Sequence, residues 1–360
     1  MVARQRVPGA LLFLGPGHVG KRTAALALAQ VLNCERPLGP EHGGPDACGT
    51  CPSCRMIEAG SHPDVETVAP DGQFLKIDQI RAVTDRLGLN PLLARRRVIV
   101  LSQAERMNVQ AANAFLKTLE EPPADTTLVL CATEAAALPE TIVSRCMAVR
   151  FVPLADAVLA DLLREPRELE PARRGKSKGD GAALDGPVLG FAVRFAHGSL
   201  RPELKDQAAA WYALRDELVA ALGELPAGGD LAGDRLTRFS AKEDAPFVLE
   251  WLETWWRDVA VLAAGGSPER LINGDRKDVL GAWPARMGAR EALECHRRVL
   301  AVRGALQFNV NAALALEGLW LGFKHILQES EAESRSGRVP APGGGMSEDL
   351  AQARSTGRLP

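Results

Sequence analysis

A lysine closing a glycine-rich turn is the first place in this chain where residue type and spacing point to chemistry. Gly15-Pro16-Gly17-His18-Val19-Gly20-Lys21 follows a short apolar run, 10–14, and opens a stretch with helical spacing, 21–33. Such a turn at a helix N-terminus surrounds phosphate oxygens with backbone N–H groups, and the helix dipole and the lysine add positive charge. The same letters satisfy the dinucleotide fingerprint through Gly15, Gly17 and Gly20, but that fold needs an acidic residue about 20 residues on to hold ribose. A cysteine cluster occupies that region, so the phosphate-loop reading is the better one.

Two groups that nucleotide hydrolysis requires are missing. The position after Lys21, where Ser or Thr would bind magnesium, holds Arg22, with Thr23 one place late. An arginine cannot ligate a cation and repels it. At the end of the run 98–101, where an Asp would hold magnesium and a Glu would activate water, the chain has Ser102 and Gln103, and neither ionises. Competent hydrolysis is not expected, which leaves two readings of the loop: a dock for a phosphate-bearing ligand, or a structural turn with no nucleotide.

Of the seven cysteines, Cys34, Cys48, Cys51 and Cys54 fall within one short stretch. The Cys-x2-Cys-x2-Cys spacing places three thiolates in one tight turn, and Cys34 can supply a fourth if the chain folds back. Four sulfurs suit structural zinc, with no open position and hence no catalysis. His42 and His62 are alternative ligands.

The elements that must position these groups follow from the apolar pattern. Runs at 10–14, 65–69, 98–101, 128–132 and 148–152 are apolar and bounded by turn residues, which predicts buried parallel strands. Between them, 21–33, 77–87 and 109–121 have helical spacing, with Asn108 as N-cap of the last and Pro122-Pro123 ending it. After Pro153 the pattern turns helical, so the expected class is α/β followed by all-α. Residues 173–181 are polar and glycine-rich and predict an exposed loop. Val248, Leu252, Trp255, Val259 and Leu262 share a helix face. Trp251, Trp255, Trp256 and Trp320 fit either internal packing or a subunit interface. Beyond Gln328 the composition predicts a disordered tail.

Bulk properties set limits. At 360 residues with 46% hydrophobic content the chain can bury a core, and a net charge of −2 excludes a basic nucleic-acid coat. The nine residues before the first strand fit no signal peptide, and no later stretch reaches the roughly 18 apolar residues of a membrane span. A cytoplasmic protein with no membrane association is expected. Arg95-Arg96-Arg97 predicts a solvated edge, with contact to DNA phosphates as the sharper alternative.

Three stretches carry a resemblance: Asn113-Ala114-Phe115-Leu116-Lys117-Thr118-Leu119-Glu120-Glu121-Pro122-Pro123, Ser144-Arg145-Cys146, and the four cysteines. Together they closely resemble the clamp-loader family of AAA+ proteins. The similarity covers about residues 8–328 and is strongest before 153. Motor subunits of that family share the cysteine module and Ser-Arg-Cys but carry an intact magnesium site, so the loop and Ser102-Gln103 resemble the non-hydrolysing, delta-prime branch; a motor ATPase of the tau/gamma kind is the alternative. The chain departs from the family at its start, where members carry further sequence with helix ahead of the first strand.

The resemblance implies a RecA-like AAA+ domain with a five-stranded parallel sheet (1–153) and a zinc insert (34–54), a helical lid (154–205), a helical collar (206–328) and a tail (329–360). It favours the four cysteines as zinc ligands. It makes Arg145 an arginine finger reaching a neighbour's ATP, and makes Thr133 and Arg201 sensor-like positions. It implies a five-membered loader with motor subunits (tau/gamma) and a delta subunit, acting on a sliding clamp and primed DNA.

Overall fold

The computed structural model describes residues 7–39, 46–165, 184–306, 308 and 310–335. These form two compact units. The first gathers the described residues up to 165 with 184 and 196–205, and the second gathers 185–195 and the described residues from 206 onward.

In the first unit, β1 (Ala10–Leu14), β2 (Val65–Val68), β3 (Arg97–Leu101), β4 (Thr126–Ala132) and β5 (Met147–Arg150) make one parallel sheet in the order β2-β3-β4-β1-β5. Its helices are α1 (Lys21–Asn33), α2 (Pro52–Glu58), α3 (Ile77–Leu87), α4 (Val109–Glu120), the single turn α5 (Glu140–Val143) and α6 (Asp156–Arg164). Alternate side chains of β1 serve opposite faces, as the pleat requires. Leu11 and Phe13 pack with Ala25, Ala29 and Ile57, whereas Ala10 and Leu12 pack with Ile80, Val83 and Phe115. Helices on both faces explain why the central strands read as continuous apolar runs.

The sheet order removes the dinucleotide reading. In that fold the strand after the first helix lies beside β1. Here β1 pairs with β4 and β5, and β2 lies at the far edge.

The expected strands and helices are present, with corrections at the margins. The fifth strand is not buried: Met147 and Arg150 are exposed, and Val152 lies beyond its end. It is the sheet's edge, so a run that looks interior pairs on one side only. The Arg95-Arg96-Arg97 run is not a solvated edge either, since two of its members are spent internally. Arg96 donates to Thr127 Oγ1 at 2.7 Å and to the carbonyls of Val7 and Thr126. Arg97, 7% exposed, pairs with buried Asp64 at 3.2 Å. Asn108 caps α4 as expected, its Oδ1 accepting the Ala111 N–H at 2.8 Å.

Among the described residues no strand follows Arg150. The remaining helices are α7 (Gly186–Ala196), α8 (Pro202–Glu224), α9 (Gly233–Phe239), α10 (Ala245–Ala263), α11 (Lys277–Leu280), α12 (Ala289–Leu306) and α13 (Ala312–Arg335). In the second unit Trp251, Trp255 and Trp256 are completely buried and Trp320 nearly so. Trp256 packs against Trp283 and Phe323, and Trp251 donates to Asn273 at 3.0 Å. Internal packing consumes these tryptophans, and the interface alternative is withdrawn. Helix α13 continues to Arg335, past the point where disorder was expected, because Glu329, Glu331 and Ala332 favour helix even though the stretch is polar. The expected loop at 173–181, the rest of the tail from 336, and His42 lie outside the described residues. No described helix is long and apolar enough to cross a membrane.

Candidate functional site

The phosphate loop leaves β1 and enters α1 along a path that glycine alone permits at two points. Gly15 has φ +152, and a Cβ there would lie 2.2 Å from the Phe151 carbonyl oxygen. Gly20, the N-cap of α1, has φ +89, the left-handed region that side chains disfavour. A Cβ on Gly17 would stand in open space. Lys21 Nζ donates to the carbonyl oxygens of Gly15 and Pro16. Burial lowers the Lys21 pKa, and the neighbouring Cys131 and Glu105 act to raise it.

Arg22 and Thr23 are exposed on the first turn of α1. Ser102 follows β3 with its hydroxyl oxygen buried and lacking a hydrogen-bond partner. Gln103 turns outward in left-handed geometry (φ 53°, ψ 51°) and caps the 3-10 turn Ala104–Arg106. Neither position offers a magnesium ligand of the acidic kind.

One acidic group escaped the sequence reading, which placed no carboxylate beside the cradle. Glu105, in that same turn, acts electrostatically on both Lys21 and Cys131, and its Oε2 is buried without a hydrogen-bond partner. The two positions directly after the strand are Ser102 and Gln103, and Glu105 is the fourth, in the 3-10 turn that the left-handed Gln103 opens. Burial pushes the Cys131 thiol up to about 11. Thr133 is exposed just past β4, and Gly15 N donates to Ala132 O beside it at 3.2 Å. Arg201 is half-buried at the foot of α8, two residues after Ser199, whose hydroxyl donates to Gly17 O at 3.0 Å.

Arg145 lies in the turn between α5 and β5. Its Nε donates to Glu120 Oε1 at 2.7 Å and its NH1 to the Thr141 carbonyl at 2.9 Å, with one third of the side chain accessible.

The four cysteines meet. The sulfurs of Cys34, Cys48, Cys51 and Cys54 all lie within 4.8 Å of one another, and none is in a disulfide. Backbone N–H groups of Cys48, Cys51 and Cys54 point at the sulfurs of Cys34, Cys48 and Cys51 at 3.3 to 3.5 Å, the donors that stabilise thiolates. Cys51 caps α2 and sets the turn. Hydrogen bonds, chiefly from the backbone of Thr50, pull the Cys48 thiol down to about 6, while burial pushes Cys54 up to about 12. Four convergent, mostly buried sulfurs fit a tetrahedral metal ion. His62 is engaged elsewhere, its Nδ1 accepting the Asp64 N–H at 3.1 Å.

Fold and site together define a P-loop α/β domain of the AAA+ class, with an intact phosphate turn, no acidic pair after β3 and a four-cysteine cluster, followed by helices. Comparison with known proteins narrows this. A family model described as DNA polymerase III, delta subunit matches residues 1–155. The Escherichia coli DNA polymerase III subunit delta' is 30% identical over 329 residues, 89% of this chain and 90% of that protein. The Bacillus subtilis subunit delta' is 37% identical over 164 residues, 46% of this chain and about half (48%) of the relative. The subunit tau of B. subtilis is 35% identical over 145 residues, 39% of this chain and 24% of tau. The chain belongs to the family of DNA polymerase III delta' subunits.

Proposed function

We propose that this chain is a non-hydrolysing subunit of a replicative clamp loader that completes the active site of a neighbouring subunit. The observation that carries the reading is the contrast between two places in one domain. Arg22, Ser102 and Gln103 stand where a motor needs magnesium ligands and a base, while Arg145 holds a permanently charged guanidinium at an accessible turn.

In this reading Arg145 acts in trans as an arginine finger, neutralising charge that develops on the γ-phosphate bound by a tau/gamma-type motor subunit. The chain as a whole serves as a stator, with 1–153 as the AAA+ domain, 154–205 as the lid and 206–328 as the collar, in a hetero-pentamer with the motor subunits and a delta subunit. The collar assignment is supported by exposed leucines at seven-residue spacing, Leu293 with Leu300 and Leu314 with Leu321, which face solvent in the isolated chain. The assembly opens the sliding clamp and places it on primed DNA. Thr133 and Arg201 are sensor positions by place, beside a site that cannot run the reaction. Zinc held by Cys34, Cys48, Cys51 and Cys54 would stiffen the segment between α1 and α2 and supply no chemistry, since four protein ligands leave no open position.

Reconstitution with motor and delta subunits, scored for clamp loading on primed DNA with and without this chain, tests the proposal. Loading that needs the chain supports it, and undiminished loading without it refutes it.

A further inference from the structure

Helix α4 buries one face and leaves the other free. Ala111, Ala112, Phe115, Thr118 and Leu119 go inward, and Gln110, Asn113, Lys117 and Glu120 are exposed. Spacings of three and four residues put those four on one stripe, which ends beside Arg145 because Glu120 is the residue that holds its guanidinium. Lys117 stands one turn before Glu120, a spacing that leaves about 5 to 6 Å between Cβ atoms.

The two cations of this face differ in how their charge is matched. Arg145 is taken by Glu120 and by the Thr141 carbonyl. The Lys117 ammonium makes no hydrogen bond or ion pair with any described residue, although Glu120 and Glu121 lie three and four places on. Pairs at these spacings do close elsewhere in the chain, as Arg81 with Asp78 and Arg298 with Glu294. Here Glu120 is turned to Arg145, and Glu121 leaves helical geometry as the C-cap (φ −129°, ψ 70°). A lysine in the last turn also offsets the helix dipole, and that role is one of stability alone.

We infer that Lys117 is a second phosphate-contacting residue of this face: where Arg145 meets charge that develops during the reaction, Lys117 meets charge that the neighbour's bound ATP already carries. The inference rests on the reading of Arg145 as a trans-acting finger. An ammonium is a compact point charge suited to a phosphate oxygen, and the triphosphate of ATP offers more than one to the same face. A contact made equally in the ground state and the transition state lowers KM and leaves kcat unchanged. Arg145 and Lys117 therefore divide kcat and KM between them.

The test is ATP titration of steady-state turnover by the loader assembled from motor subunits, a delta subunit and the full-length chain. The chain carries Lys117→Ala, Lys117→Arg, Lys117→Glu or Arg145→Ala, with assembly followed by gel filtration and stability by thermal unfolding. Losing one charge contact should raise KM at the site this chain serves about five- to tenfold in Lys117→Ala, with kcat within about twofold, and should raise it further in Lys117→Glu. Lys117→Arg keeps the charge and should stay near wild type. If Arg145→Ala lowers turnover while KM is unmoved by Lys117→Ala and Lys117→Glu, the inference fails and the finger stands. If Arg145→Ala has no effect, the finger reading fails and this inference with it. Three further results would overturn the inference alone: weakened assembly at unchanged KM, the mark of a lysine paired with a neighbour's carboxylate; a lower unfolding temperature at unchanged KM, the mark of a helix-end role; and a raised KM that Lys117→Arg does not restore.

Discussion

Arg145 is gripped by Glu120. The guanidinium Nε donates to Glu120 Oε1 at 2.7 Å, a second nitrogen completes the ion pair, and NH1 reaches the Thr141 carbonyl. Glu120 is the last residue of α4, and Pro122-Pro123 follow it, so the carboxylate sits at a rigid helix end. An accessible pair of this kind contributes only about 0 to 1 kcal/mol to stability. Its effect is to fix where the guanidinium rests while leaving part of it free for another partner.

That geometry makes Glu120 a positioning residue for the proposed finger. Glu120→Ala should change stability in urea denaturation by about 1 kcal/mol or less. ATP turnover by the assembled loader should nevertheless fall by about tenfold, because a small misplacement of a charged group is costly. Glu120→Gln keeps an acceptor for Nε and should lose less. Equal turnover in all three proteins would show that Glu120 does not guide Arg145.

The cysteine cluster predicts metal dependence of the first unit's stability. Elemental analysis of the purified chain should find one zinc per molecule, and removal by a chelator should lower the unfolding temperature. Affinity should fall as pH falls, since thiolates are the ligands and binding releases protons. Cys51→Ser, at a completely buried position, should lose most of the metal. A metal-free protein with the same unfolding curve as the purified one would remove the site from the account.

A buried ion pair, Asp64 with Arg97, predicts a pH effect. Although burial alone would raise its pKa, Asp64 is brought down to about 2 by the N–H groups of Leu93, Ala94 and Leu92 and by Arg97. A folded-state value below the ordinary 3.8 means the stabilisation is fully present above that pH and is lost as pH falls toward and through 2. Asp64→Asn should cost about 3 to 5 kcal/mol near neutrality, because Arg97 is left buried and unpaired. The gap between the two proteins in denaturant titrations should narrow between about pH 4 and pH 2; a pH-independent gap would contradict this.

Much of this was readable before any coordinates. Lys21, Arg22, Ser102, Gln103 and the cysteines announce themselves because their chemistry depends on spacing along the chain, and the apolar runs of β1, β3 and β4 follow from burial on both faces. What stayed hidden depends on contacts far apart in sequence. Glu105 became relevant only through the left-handed turn at Gln103, and Ser199 only because Gly198 lets the chain approach Leu154. Arg97 looked like part of a surface charge run, and only the fold shows Asp64, 33 residues away, waiting for it. The fifth strand looked interior because an apolar pattern cannot tell an edge from a centre.

The most direct test of the central claim is ATP turnover by motor subunits assembled with wild-type chain and with Arg145→Ala, alongside the chain alone. The account predicts no turnover by the chain alone, normal assembly of the variant, and a fall in turnover at the site it serves, by as much as about 10³-fold or more. Turnover unchanged by Arg145→Ala, or hydrolysis by the isolated chain at a motor's rate, would contradict it.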